Sequence, residues 1–311
     1  MDNQPKQEHK PEHHAEQHIH DGRNWYDKSY KLLLIIPAVF LIFSIVYLIN
    51  FNAHNGDVIY KDVSLTGGTT VTVFDVNTDV DKLALDLKKD FPDLGTRRLS
   101  DVRTGKQAGF IFETKADADT TKAALEKYLG YTLDDKNSSI EFSGASLSSG
   151  FYQQLRMALL IAFVLMAIVV FIIFRTPVPS GAVVLSAFAD ILMTVVVVDL
   201  MGINLSSAGI IAFLMLIGYS VDTDILLTTR VIKKHEGKLN ERLFGAFKTG
   251  ITMTLTSVAA VLISLVVIYN FSETLRQIFT ILLIGLGFDI FNTWVTNACI
   301  LKWYAEVHKI E

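Results

Sequence analysis

The sequence predicts a polytopic α-helical membrane protein with six transmembrane helices and an external α+β, ferredoxin-like domain between helices 1 and 2. Three observations predict it. Of the 311 residues, 50% are hydrophobic, and they are gathered into runs rather than dispersed, the distribution of a chain solvated by lipid. One polar stretch, 52–150, interrupts these runs after the first and is long enough for a small domain. Inside it, strand and helix patterns alternate as β-α-β-β-α-β, the order of a split βαβ sandwich.

Residues 1–31 mix charged residues, Gln and His with almost no apolar content, and are expected as a disordered cytoplasmic tail. His9, His13, His14, His18 and His20 could hold a metal loosely, but no Cys or ordered scaffold sets a geometry; a solvated tail is the reading. The first apolar run, 32–51, begins too late and is too long for a cleavable signal and is expected as an uncleaved anchor. Pro37 stands near its start, where a proline costs a helix least.

In the polar segment, 63–74 reads as a strand containing Gly67 and Gly68, and 80–91 as a helix stopped by Pro92. The runs 97–103 and 107–113 read as a hairpin around Thr104 and Gly105, 116–129 as a second helix and 139–142 as a last strand. No His, Cys or acid pair there has catalytic spacing, so binding or scaffolding is expected of this domain. Residues 144–150 read as a small-residue linker. A five-helix bundle is expected over 151–304, with spans at 155–174, 179–201, 205–231, 246–270 and 275–304, and a short cytoplasmic C-terminus over 305–311.

Basic residues orient the chain. Arg230, Lys233, Lys234, Lys238, Arg242 and Lys248 lie between spans four and five, while the turn at 202–204 has no Lys or Arg. The basic side is expected to be cytoplasmic. Both termini then lie inside, with Lys28, Lys31, Lys302 and Lys309 in support, and 52–150 faces outside a plasma membrane. The single cysteine, Cys299, forms no intramolecular disulfide. Nothing suggests nucleic acid as a partner, and no phosphate loop occurs. No cofactor or metal is expected, so any energy must come from a gradient or a partner.

The candidate site is a set of intramembrane carboxylates. Asp222 and Asp224 stand two apart in span four, although one Asp at the middle of a membrane helix costs about 2.5 to 3.5 kcal/mol. They point roughly 200° apart around the helix, so no single surface shelters both. Asp190 in span three and Asp289 in span six fall at comparable depth, and Asp199 near the end of span three is expected at the interface. A shared polar centre follows, read either as a proton relay or as hydrogen-bonded acids that pin the helices. Arg230 can share a broad face with Asp222 near the membrane edge. Thr252 and Thr256, with Thr249, either bond their own helix or line a hydrated path. Gly285 and Gly287 permit close helix approach. The run Gly285-Leu-Gly-Phe-Asp289 carries one residue too many for the Gly-x-Gly-Asp signature of an intramembrane aspartyl protease.

The chain resembles the SecF family, the smaller partners of SecD in the accessory complex of the Sec translocase. The resemblance rests on Leu65-Thr-Gly-Gly-Thr69, on Gly218-Tyr-Ser-Val221 with Arg230, and on Leu282-Leu-Ile-Gly-Leu286. It also rests on the layout of one anchor, an external domain and five clustered helices. Asp222-Thr-Asp224 and Asp289-Ile-Phe-Asn-Thr-Trp294 look archaeal. The resemblance implies membership of the resistance-nodulation-division transporters, a heterodimer with SecD, and contacts with the translocase channel, the translocating polypeptide and membrane lipid. It implies assistance to protein export, driven by the proton gradient, and no enzymatic activity; a scaffold without ion coupling is the alternative. In bacterial relatives a span-four Asp and a basic residue before span five carry the coupling. Matching on Gly218, Tyr219 and Ser220 puts Thr223 at that acidic position and Lys248 near the basic one. On this reading Asp222→Asn harms export more than Asp199→Asn.

Overall fold

The computed structural model describes residues 25–101, 104–233, 237–269 and 272–310. His9, His13, His14, His18, His20, Arg103, Lys234 and Asn270 lie outside the described residues. Two helices open the chain, α1 (Trp25–Leu33) and α2 (Ile35–Asn55). They break at Leu34 because Pro37 has no N–H for the Leu33 carbonyl and its ring crowds that oxygen. Residues 25–31, expected as tail, are therefore helical. The reason is tertiary: Tyr30 is buried and its hydroxyl donates at 2.6 Å to Glu306, near the other end of the chain.

The polar segment begins with one helical turn, α3 (Val63–Thr66), where alternation predicted a strand. Asp62 caps it by accepting from the Ser64 N–H at 2.9 Å, and Gly67, at φ 83, ends it. The chain continues through β1 (Gly68–Val73), α4 (Val80–Leu87), β2 (Gly95–Ser100), β3 (Gln107–Thr114), α5 (Ala118–Leu129) and β4 (Ser138–Ser143). β2 is described to Ser100, and Asp101 accepts from the Thr104 N–H and hydroxyl, at 2.7 and 2.8 Å; the rest of the expected strand, 102–103, lies outside the described residues. The sheet order is β2-β3-β1-β4, antiparallel throughout, with Val71 opposite Phe112 on one side and Ile140 on the other. Val71, Val73, Phe110 and Phe112 share a core with Leu83, Leu87 and Leu125 of α4 and α5. This is the expected ferredoxin-like sandwich. No linker follows it: 144–150 forms Gly144 as an extended cap and then the first turns of α6 (Ala145–Phe174).

The rest is helical: α7 (Pro177–Leu200), α8 (Ser207–Thr228) with a wider π-helical turn π1 (Thr229–Lys233), and α9 (Leu239–Ile268). The last span joins α10 (Glu273–Phe291), a second π-helical segment π2 (Asn292–Asn297) and α11 (Ala298–Val307). Among the described residues, six helices are long and apolar enough to cross a membrane. Their environments differ: 56%, 50% and 39% of the central residues of α7, α8 and the last span are buried, against 11%, 11% and 6% for the first span, α6 and α9. The first group forms the interior and the second its apolar outer wall.

Apolar packing leaves a gap in that interior. At the end nearest the sheet domain, Val198, Leu205, Phe213, Leu216, Ile281 and Leu282 pack together. At the other end Leu227, Val231, Leu243, Ala298, Leu301 and Ala305 do the same. Along α8, the stretch between these clusters is 217–226; along the last span it is 283–297. Ser220, Thr223 and Asp224 of α8 and Asp289, Asn292, Thr293, Thr296 and Asn297 of the last span fall there, all of them buried.

Candidate functional site

Asp190, Asp224 and Asp289 meet in this middle layer, and none has any exposed surface: each is 0% exposed. α7 supplies Asp190, whose carboxylate accepts from the Ser220 hydroxyl of α8 at 2.6 Å and from the Asn292 amide of π2 at 2.7 Å. α8 supplies Asp224, which accepts from the Thr293 hydroxyl at 2.9 Å and the Asn297 amide at 2.7 Å. The Thr293 oxygen also lies 3.3 Å from Asp289 and so bridges two of the acids. Thr296 donates to Asn292 at 3.1 Å and orients its amide. Gly285 lets the helices approach: a Cβ there would lie 2.5 Å from Leu216 Cδ2.

The π-helical segment brings these donors together. Its wider turn puts Asn292, Thr293, Thr296 and Asn297 all inside the bundle, and single π turns within helices recur at functional sites. The sequence analysis did not count Asn292, Thr293, Thr296 or Asn297 among the site residues. A polar cluster Asn292, Thr293, Thr296, Asn297 in an apolar span was the available signal. Asp224 Oδ2 and Asp289 Oδ2 are buried without a hydrogen-bond partner among the described residues. No ion pair there reaches the three acids, and no group of three or more metal-ligating side chains is present among the described residues. Three adjacent carboxylates without a counter-cation require protons or a cation to make up the charge.

Asp222 does not join them. It is exposed, because α8 can turn only one of two residues about 200° apart into the bundle, and it turns Asp224 inward. Gly218 and Tyr219 share the outward face, whereas Ser220 and Thr223 are buried, Thr223 lying 3.5 Å from the Thr254 hydroxyl. Asp199 stands in the last turn of α7, at the end of the span, and is 3% exposed because protein covers it there. Arg230 donates at 2.8 Å to the Gly245 carbonyl of α9 and meets no acid of the cluster. Lys248 is exposed. Thr252 and Thr256 are exposed and donate to the Lys248 and Met253 carbonyls of their own helix, at 2.8 and 2.7 Å.

The sheet domain is fastened to the helices that carry the acids. Lys61 and Leu205 form a parallel bridge, with the Leu205 N–H donating to Tyr60 at 2.7 Å and the Asp62 N–H to Leu205 at 3.1 Å. The Ser207 N–H donates at 3.0 Å to the Ser64 hydroxyl of α3. Gln277 of α10 accepts from the Ser206 N–H at 3.1 Å and from its hydroxyl, and donates to the Asn204 carbonyl at 2.7 Å. Burial pushes the Asp62 carboxyl above its ordinary value, against the opposing Ser64 hydrogen bonds. The start of α8 is thus held by the domain on one side and by α10 on the other.

A family model described as protein export membrane protein SecD/SecF, C-terminal, matches residues 122–307. The protein-export membrane protein SecF of Methanocaldococcus jannaschii is 42% identical over 288 residues, covering 91% of this chain and 98% of that one. The SecF of Methanolacinia petrolearia is 39% identical over 277 residues, covering 89% and 94%. In fold, the chain is similar to SecDF, a translocon-associated membrane protein from Thermus thermophilus, with a TM-score of 0.67 and 18% identity. That match covers 91% of this chain and only 39% of that longer one. A family model over more than half the chain and an archaeal relative alike from end to end lead to one statement: this chain belongs to the SecF family of protein-export membrane proteins.

Proposed function

We propose that this chain is the SecF subunit of a SecDF-type accessory complex. It pairs with SecD, works beside the Sec translocase channel, and draws emerging polypeptide outward with energy from the proton gradient. The observation that carries this reading is the buried triad Asp190, Asp224 and Asp289, held by Ser220, Asn292, Thr293 and Asn297 halfway along the bundle. Intramembrane carboxylates that face a bundle interior are the material of proton relays. Each proton gained or lost changes a hydrogen bond between two helices, so proton binding biases how α7, α8 and the last span sit together. The bridge at Leu205 and the bonds of Gln277 carry such a shift to the sheet domain. Export then follows from alternating the domain's position. The Lys and Arg residues between α8 and α9 support a plasma-membrane orientation with both termini cytoplasmic and 52–150 external.

A second reading has its own support. Asp190 ties α7 to α8 and π2, and Asp224 ties α8 to π2; a scaffold needs no more than that. The test is proton flux across vesicles holding the chain with its SecD partner under an imposed pH gradient. Flux in the natural chain that is lost in Asp224→Asn/Asp289→Asn, with the complex intact, supports the relay. No flux in either, with the complex intact, favours the scaffold.

A further inference from the structure

Arg156 has no part in the carboxylate cluster. It is exposed on α6 and enters no ion pair among the described residues. It stands roughly 27 Å along the helix axis from Phe174, and a hydrocarbon layer is about 30 Å thick. With Phe174 and Arg175 at one edge, Arg156 therefore falls at the other, on the side of the sheet domain. Its guanidinium lies 5.5 Å from the centre of the Tyr152 ring, and the Tyr152 hydroxyl donates to Asp57 at 2.9 Å. A groove of about 460 Å³ opens below it between α6 and α7, with Gln153 and Arg156 on its rim. Leu159, Leu160, Phe163, Phe188 and Ile191 line its apolar part. The Phe163 and Phe188 rings meet at its deep end, 6.0 Å apart. Leu159 and Ile191 also pack on the cluster that holds Leu205 and Leu216.

We infer that this groove holds one phospholipid of the surrounding bilayer, its phosphate on Arg156 and Gln153 and one acyl chain on the apolar residues below. Charge complementarity decides the occupant. A phosphate accepts two parallel hydrogen bonds from a guanidinium fork, and Arg156 has no carboxylate to compete for them. A free anion would leave the apolar floor bare. A phospholipid supplies both parts in the order the groove presents them: an anion at the rim, then hydrocarbon over the roughly 10 Å from Arg156 to Phe163. The neighbouring surface of α6 is of the same kind, with Ile161, Val164, Leu165 and Ile168 exposed. α9 gives the contrast. It too exposes Leu262, Ile263, Val266 and Val267, but it has no Lys or Arg over 249–268, so lipid passes over it without being held. A chain seated on Leu159 and Ile191 buttresses the cluster that fixes the start of α8.

The experiment uses the full chain in phosphatidylcholine vesicles that contain a phosphatidylglycerol with a photoactivatable group on one acyl chain. After illumination, label is mapped on 157–163 and 188–191 and, for comparison, on 262–267 of α9. The expected result is labelling of the α6–α7 segments about fivefold or more above α9. Arg156→Gln is expected to remove that excess, and Arg156→Lys, a point charge without the fork, to keep part of it. Arg175→Gln, at the opposite edge, is expected to leave it unchanged. Leu160→Trp, which puts a ring into the groove from an exposed position, is expected to remove it although Arg156 remains. Each variant is compared with the natural chain in thermal unfolding, so that a loss of fold is told apart from a loss of lipid. Even labelling of the two regions in the natural chain means passing lipid only and overturns the inference. An excess that survives Arg156→Gln, or that falls equally with Arg175→Gln, also overturns it. So does an excess displaced by added inorganic phosphate, which would make a free anion the occupant.

Discussion

Asp190 accepts one bond from α8 and one from π2, so its two possible roles can be separated by two substitutions. Asp190→Ala leaves the Ser220 hydroxyl and Asn292 amide without an acceptor, and is expected to cost about 1 to 3 kcal/mol of stability. Asp190→Asn keeps an acceptor oxygen but no titrating proton. It is expected to stay within about 1 kcal/mol of the natural chain in detergent unfolding, while removing proton flux if the triad is a relay. Outside the membrane, Asp57 gives a pH signature. Burial alone would raise its carboxyl, but donation from Lys61, the Val58 N–H and the Tyr152 hydroxyl outweighs burial and holds it below the ordinary value. Its folded pKa is depressed, so its stabilisation is present above the unfolded value and is lost as pH falls through the folded one. The stability advantage of the natural chain over Asp57→Asn is therefore expected to be present near neutral pH and to shrink as the pH falls; an advantage that stays constant with pH would count against it. The value of single residues was only half legible in the sequence. That Asp190, Asp222, Asp224 and Asp289 would be special followed from their cost in lipid, but Asp222 and Asp224 are equal by that measure, and helix rotation alone distinguishes them.

At the scale of elements, the joint between the sheet domain and α8 makes the sharpest prediction. Gln277→Leu removes the bonds to the half-buried Ser206 and the exposed Asn204, at a cost of about 0.5 to 1.5 kcal/mol. Amide exchange at 204–207 is expected to speed up well before the rest of α8; unchanged exchange would mean that Gln277 does not hold the joint. Gly68, at φ 144, sits where a Cβ would lie 2.2 Å from the Thr114 carbonyl oxygen. Gly68→Ala is expected to destabilise the sheet domain by more than about 1 to 3 kcal/mol, read as loss of its protection from proteolysis. The paired glycines Gly67 and Gly68 in the resemblance to SecF thus end α3 and begin β1. Element types were mostly legible because periodicity is local. The turn at α3 and the helical start of α6 were not, since Asp62 and Gly144 act through caps that span only a few residues.

For the whole molecule, orientation is open to a direct check. Cys299 is buried, so the natural chain should give little background with a membrane-impermeant thiol reagent. Lys106→Cys, at the exposed tip of the β2–β3 hairpin, is expected to label in intact cells, and exposed His308→Cys only after permeabilisation. The reverse pattern would invert the orientation argued from the basic loop. The molecule divides the labour between its spans: α7, α8 and the last span enclose the polar layer, while the first span, α6 and α9 mostly meet the outside. That division places Asp190, Asp224 and Asp289 away from lipid, with Asp222 as the exposed exception.

By itself, the sequence determined six apolar spans, a βαββαβ domain between the first two and carboxylates at mid-depth. All three follow from period and composition within one stretch of chain. Only the tertiary structure decided which acids meet. Asp190, Ser220 and Asn292 are 30 and 102 residues apart in the chain along their two hydrogen bonds, and their meeting depends on how three helices rotate and on a π-helical turn that no local pattern announces. The same holds for Tyr30 with Glu306, 276 residues apart. Hydrophobic period tells a helix which face is apolar, but in a membrane both lipid and protein satisfy an apolar face. Polar contacts between distant helices break that tie.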